Sequence, residues 1–291
     1  AVGYQALNLN TTGTDNAAFG VQSLIKNTTG NNNTACGPYG LYFNTTGGNN
    51  TSVGRDALLN NTTASNNTAV GYQAAYTNTT GTRITAVGYI SLYTNNASDN
   101  TALGYAAGQY TTTGAYNTFI GGYGGVTYSA GQSNTTGTNN TVLGAASLGA
   151  NTTGSNNTSI GKDALISNTT ASNNTAVGYQ ALYNNIDTSQ TALGYQALYN
   201  INAASGAGGN IGIGNSSGTN KTSGYQCVYI GVSSAGSSAT TFEEIVIGTQ
   251  STTGKGSTTG FINPNGGGVY QGNNSANWST TSDRRLKKNI V

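Results

Sequence analysis

Apolar residues recur in this chain at a fixed place in a short phrase, directly before a glycine. The phrase reads Asn-Thr-small-apolar-Gly, as at Asn67-Thr68-Ala69-Val70-Gly71 and Asn174-Thr175-Ala176-Val177-Gly178. Anchor glycines run from Gly3 to Gly248, and most neighbours in the series lie 17 residues apart. Two gaps are 16, the gap from Gly121 to Gly144 is 23, and that from Gly194 to Gly214 is 20. A short fixed period marks a repeat architecture in which each unit buries its apolar face on the next. The two long gaps predict insertions, one near residues 122–137 and a shorter one around residues 203–209.

Columns in this register predict the elements. The residue before each anchor is apolar throughout: Val53, Val70, Val87, Leu103, Ile120 and Leu143 are examples. Leu recurs four residues after it (Leu24, Leu41, Leu58, Leu165) and Asn four before it (Asn33, Asn50, Asn67, Asn140). Tyr favours the positions one and five after, as in Tyr72 and Tyr76. Seventeen residues are too few for a helix pair, and Gly, Asn and Thr are poor helix formers. The stretch "NTAVGY" alternates as a strand does, while "NTTG" and "GSNN" read as turns. The expectation is an all-β parallel β-solenoid, or β-roll, of about fifteen 17-residue coils, each with two short strands. Coils about 4.8 Å apart would make a rod on the order of 70 Å long. Like side chains would then stack: the Val/Ile and Leu columns inside as a core, the Asn amides bonded coil to coil. The anchor glycine would supply a positive φ or a close backbone approach. So thin an apolar core predicts association of several chains, most simply three, into a trimeric fibre.

Composition sharpens this picture. Only 6% of residues are charged, the net charge is +2, His and Met are absent, and there are 44 Gly and 19 Tyr. Without His, and with Asp scattered, neither a zinc site nor an Asp-rich calcium turn is indicated, so no metal and no cofactor is expected. No phosphate loop, nucleophile elbow or carboxylate pair stands out. The repeats carry no basic stripe, which argues against nucleic acid as a partner. No apolar run approaches the length of a membrane span, so no membrane insertion is expected. The chain opens within a phrase at "AVGYQAL" and is read as a piece of a longer polypeptide.

The Asn, apolar-Gly and Leu columns resemble the head repeats of trimeric autotransporter adhesins, which form parallel β-rolls. The wording "NNTAVGYQAL" is still more similar to repeats in fibre proteins of bacteriophages and large algal viruses. Both resemblances cover about residues 1–250. The segment "SDRRLKKNI", from Ser282, resembles the opening of the intramolecular chaperone at the ends of viral tail spikes, endosialidases and fibres. That resemblance implies a chaperone that trimerises and then cuts itself off at the junction of Ser282 and Asp283. Ser282 would be the nucleophile, and Lys287, if desolvated and neutral, would accept its hydroxyl proton. Most of the chaperone's length is missing after Val291, so this chain alone does not complete that site. The domain reading is a repeat shaft over 1–248, a connector over 249–281 and a truncated chaperone start over 282–291. The implied function is a structural fibre or spacer on a virion surface or outside the cell, holding an adhesive tip. It would have no enzymatic turnover, and its partners would be copies of itself and a host-surface glycan or receptor. A microbial surface adhesin or extracellular filament built from the same rod is the alternative.

Three further patterns carry candidate chemistry. Asn-x-Ser/Thr sequons, the acceptors of N-glycosylation, are dense and include two regular rows. One lies seven residues after the anchor: Asn10, Asn27, Asn44, Asn61, Asn78, Asn151 and Asn168. The other lies five before it: Asn32, Asn49, Asn66, Asn139, Asn156 and Asn173. If the Asn four before the anchor points inward, this second row points outward, where a sugar fits. A row of Thr three before the anchor (Thr34, Thr51, Thr68, Thr85) could match an ice lattice if it faced out. An inward β-branched ladder is the preferred reading of that row, and an ice-binding solenoid ranks third among functions. Cys36 falls in the apolar column and is expected in the core. Cys227 lies too many coils away for the two to form a disulfide.

Overall fold

The computed structural model describes residues 1–125, 128–202, 208–263, 268–272 and 279–280. It is an all-β parallel β-solenoid of about fourteen turns, roughly 17 residues apart, in two compact units, 1–163 and 164–291.

In the first unit the strands run from β1 (Ala17–Phe19) through β4 (Thr68–Val70) and β5 (Thr85–Val87) to β9 (Thr158–Ile160), one per coil. Successive strands pair in parallel with no slip: Thr68 lies against Thr85, Ala69 against Ala86, Val70 against Val87. The 23-residue gap leaves this register intact, since Thr118 still lies against Thr141. The extra residues fall between Gly121 and Tyr128, where the Gly124 N–H donates to the Tyr128 carbonyl at 3.0 Å. The first phrase contributes a single bridge, Val2 to Phe19.

The second unit continues the pattern from β10 (Thr175–Val177) to β14 (Ile245–Gly248). There β15 (Gly260–Asn263) adds in parallel to β14, so coil-like pairing reaches beyond residue 248. The direction then reverses: β16 (Val269–Gln271) and β17 (Ser279–Thr280) pair antiparallel.

Two expectations fail here. Each coil holds one strand, not two. After the anchor the chain enters a stack of turns in which the second and fourth residues are left-handed, as in Tyr39 (φ 60°) and Leu41 (φ 52°). No strand survives that alternation. Bonds between coils continue nevertheless, for Leu41 N–H donates to the Ala57 carbonyl at 3.1 Å.

The second failure concerns which side is in. In the first unit the central residue of each strand is buried, so Ala35, Ser52, Ala69 and Ala86 face the core. The residue before the anchor therefore faces out, together with the Thr two positions earlier, because side chains alternate along a strand. Cys36 is exposed, not a core residue, and the Thr row is outward, not inward. Volume explains the choice. Left-handed leucines such as Leu24, Leu41 and Leu58 fill the interior, and two buried Asn ladders occupy the rest, leaving room only for a small residue at mid-strand. Exceptions are compensated in size. Where Phe119 replaces Ala, the leucine positions of the preceding coil and of its own coil are Gly108 and Gly131, and a Cβ at Gly108 would come 2.6 Å from the Phe119 ring. Tyr229 is accommodated in the same way by Gly218.

The anchor glycine meets both parts of its expected role. Gly71 has φ 135°, and a Cβ there would collide with the Gly88 carbonyl one coil on.

Candidate functional site

The most distinctive surface is the outward face of the strands. In the first unit it carries three parallel columns: Thr, aliphatic, and, just past the anchor, Tyr. Val53 (37% exposed), Leu103 (47%), Tyr89 (46%) and Tyr105 (50%) all lie on it. Between Thr34 and Ile160 the outward strand positions hold no charged side chain. Arg55 and Lys162 enter only in the Tyr column. A contiguous apolar strip that water does not favour is a mark of an interaction surface.

The tyrosines reinforce its order. Tyr72, Tyr89 and Tyr105 stack on one another with centroids 5.3 and 5.1 Å apart. In the second unit Tyr179 and Tyr195 do the same at 5.4 Å. An inner pair, Tyr76 and Tyr93, stacks at 5.1 Å, and burial raises the pKa of Tyr93. Beyond Tyr105 the column changes to Gly122 and Ala145, and Tyr123 turns edge-on at 6.4 Å. A cavity of about 560 Å³ opens between Tyr105 and Tyr123.

The structure separates the two sequon rows. Asn27, Asn44, Asn61, Asn78, Asn151 and Asn168 are fully buried, while Asn10, in the terminal coil, is half-buried. Their amides form a ladder: Asn44 Nδ2 donates to Asn27 Oδ1 (2.8 Å) and to the Gly47 carbonyl (2.9 Å). Asn32, Asn49, Asn66, Asn139, Asn156 and Asn173 are exposed, each in a left-handed conformation with φ of 57–64°. The residues after them, such as Asn33 and Asn50, are buried in a second ladder, in which Asn33 Oδ1 accepts from the Asn50 backbone N–H at 3.0 Å.

A further cluster was not anticipated. Lys221, fully buried in the second unit, donates from Nζ to the Thr241 carbonyl and, at 3.1 Å, to Thr241 Oγ1. Tyr229 Oη lies 3.4 Å from that hydroxyl. Cys227 Sγ is 3.5 Å from the Thr241 carbonyl, and Glu244 accepts from the Ser237 and Gly256 N–H groups at 3.1 and 2.9 Å. Burial pushes the Lys221 pKa down, against the opposing influence of Cys227 and Glu244, and pushes the Tyr229 phenol well up. The sequence held the signal: Lys221 occupies the buried ladder position seven after Gly214, and Cys227 and Glu244 that four before Gly231 and Gly248. Titratable residues thus replace Asn in the last coils.

Ser282, Asp283 and Lys287 lie outside the described residues. Cys36 and Cys227 are both free thiols. Among the described residues no group of three or more His, Cys, Asp or Glu could hold a metal ion, and no helix is long and apolar enough to cross a membrane. The chain matches no protein-family model, no curated protein and no solved structure.

Proposed function

We propose that the chain is a segment of a structural fibre, a spacer on a virion or other extracellular surface, joined to further copies of itself along its outward Thr–aliphatic–Tyr face. The observation that carries this reading is the uncharged apolar column outside the coil. Because the interior admits only a small residue at mid-strand, Val70 and Val87 stay outside it and are left without full burial in the single chain. Self-association supplies the burial these side chains lack within one chain. The function is mechanical: stiffness from stacked coils and ladders, with a neutral, hydroxyl-rich exterior. The same geometry serves a microbial adhesin or filament, with a host-surface glycan or receptor engaged by another part of the assembly. Processing at Ser282–Asp283 belongs to this proposal only for a longer chain that completes the chaperone. Electron microscopy of purified protein, with its mass measured by light scattering, tests the reading. Elongated multimers support it; a monomer at all concentrations refutes it.

The outward Thr row favours a second reading. Thr34, Thr51, Thr68 and Thr85 form a regular, in-register array beside aliphatic side chains, the arrangement an ice-binding face requires. Thermal-hysteresis activity in the purified protein would favour this reading, and its absence at high concentration would remove it.

A further inference from the structure

The two sequon rows place opposite demands on the route by which the chain is made. Asn27, Asn44, Asn61, Asn78, Asn151 and Asn168 each open an Asn-Thr-Thr sequon, and each side chain is fully buried. Both amide hydrogens are committed in the regular coils. Asn61 Nδ2 donates to Asn44 Oδ1 (2.8 Å) and the Ala64 carbonyl (3.0 Å), and Asn151 Nδ2 to Asn134 Oδ1 (2.8 Å) and the Gly154 carbonyl (2.9 Å). An N-linked sugar replaces one of those two hydrogens. It removes a donor from a buried ladder, leaves an acceptor unpaired and sets a bulky polar group where there is no accessible space.

The outer row has the opposite geometry. Asn32, Asn49, Asn66, Asn139, Asn156 and Asn173 project from left-handed corners into solvent, each two residues before an outward Thr.

We infer that the inner sequons must stay bare for the chain to fold, so that of the two rows only the outer can carry N-glycans in the native protein. The chain therefore acquires its fold with the inner row unmodified, whereas the exposed outer row can accept a glycan before or after folding. This rests on the coil geometry alone and stands or falls independently of the fibre reading.

The test uses a soluble glycosyltransferase that reads Asn-x-Ser/Thr and adds a single glucose. The full chain is modified while denatured, returned to native conditions, and separated into protease-resistant and protease-sensitive pools, whose site occupancies are compared by mass spectrometry. Inner-row glucose is expected to be depleted about tenfold or more in the resistant pool, with outer-row occupancy unchanged. Equal inner-row occupancy in the two pools overturns the inference. The native chain treated directly provides a second measurement: modification that reaches the outer row and spares the inner row supports it, and glucose on Asn44 or Asn61 of protein that remains folded overturns it.

Discussion

Val70 pairs in register with Val87, one coil further on, and neither side chain is buried in the core. Winding and sidedness are therefore separate properties of this fold. The first depends on the backbone ladder and on glycines such as Gly71, the second on what fills the interior.

If the outward face joins copies of the chain, Val87→Glu should dissociate them without unfolding the coil. An unpaired charge buried in an interface costs about 3 kcal/mol or more, a weakening of about a hundredfold. The same change on a free surface shifts stability by only about 0.5 kcal/mol. Light scattering should report smaller particles while the melting temperature barely moves. Because the strand face is uncharged, association of the wild type should not weaken between low and high sodium chloride.

Much of this was legible in the sequence. The 17-residue period gave the parallel pairing, and the Asn67-Thr68-Ala69-Val70 alternation put Asn67 and Asn66 on opposite sides, as observed. Alternation also sets Ala69 opposite Val70, but it does not say which is inside. Hydropathy favoured Val, whereas the space left by Leu58 and the buried ladders admits only Ala. The stack of turns was hidden because a left-handed leucine is rare for steric reasons, so Leu41 and Leu58 resembled strand residues. Lys221 was overlooked because a lysine in an otherwise Asn-lined column reads as a surface residue.

The buried ladder should matter far more than the exposed Asn beside it. Asn44→Ala removes two donated bonds and one accepted from Asn61, leaving neighbours unpaired in the interior. A loss of about 2–4 kcal/mol is expected, the sum of a few unsatisfied buried groups. Asn49→Ala, at an exposed corner, should stay within about 1 kcal/mol. Chemical denaturation of the two variants checks the contrast.

Phe119 with Gly108 and Gly131 forms a matched set. Phe119→Ala should lose about 3–5 kcal/mol to the cavity it leaves. Gly108→Leu alone should also destabilise, since even a Cβ approaches the ring. Combining Phe119→Ala with leucine at both glycines rebuilds the standard coil, in which leucine already adopts the same left-handed backbone. The triple variant should therefore be more stable than Phe119→Ala. A strictly additive or worse outcome by thermal melting would show that the compensation is not local.

Lys221 should make the second unit's stability depend on pH. Its folded-state pKa lies below the ordinary 10.5 because burial disfavours the charge. Below the lowered value both states hold the proton and stability is flat. Between that value and 10.5 the unfolded chain binds more protons, so stability rises with pH. Tyr229 acts in the opposite direction only above its ordinary 10.0, where the unfolded phenol ionises first. Melting temperatures measured up to about pH 10 should climb in wild type, and Lys221→Met should flatten the climb.

Cys36 offers a direct readout of the outward face. It stands in register between Phe19 and Val53, with its thiol exposed, while Cys227 is buried. If copies meet along this face in parallel and in register, Cys36 of one chain lies near Cys36 of the next. A short bis-maleimide should then couple native chains through that residue alone, and the coupling should fall when Val87→Glu separates them. Rapid single-end labelling with no cross-linked species would mean that the face does not join parallel copies at this level, and would leave the Thr–aliphatic array free for a different occupant.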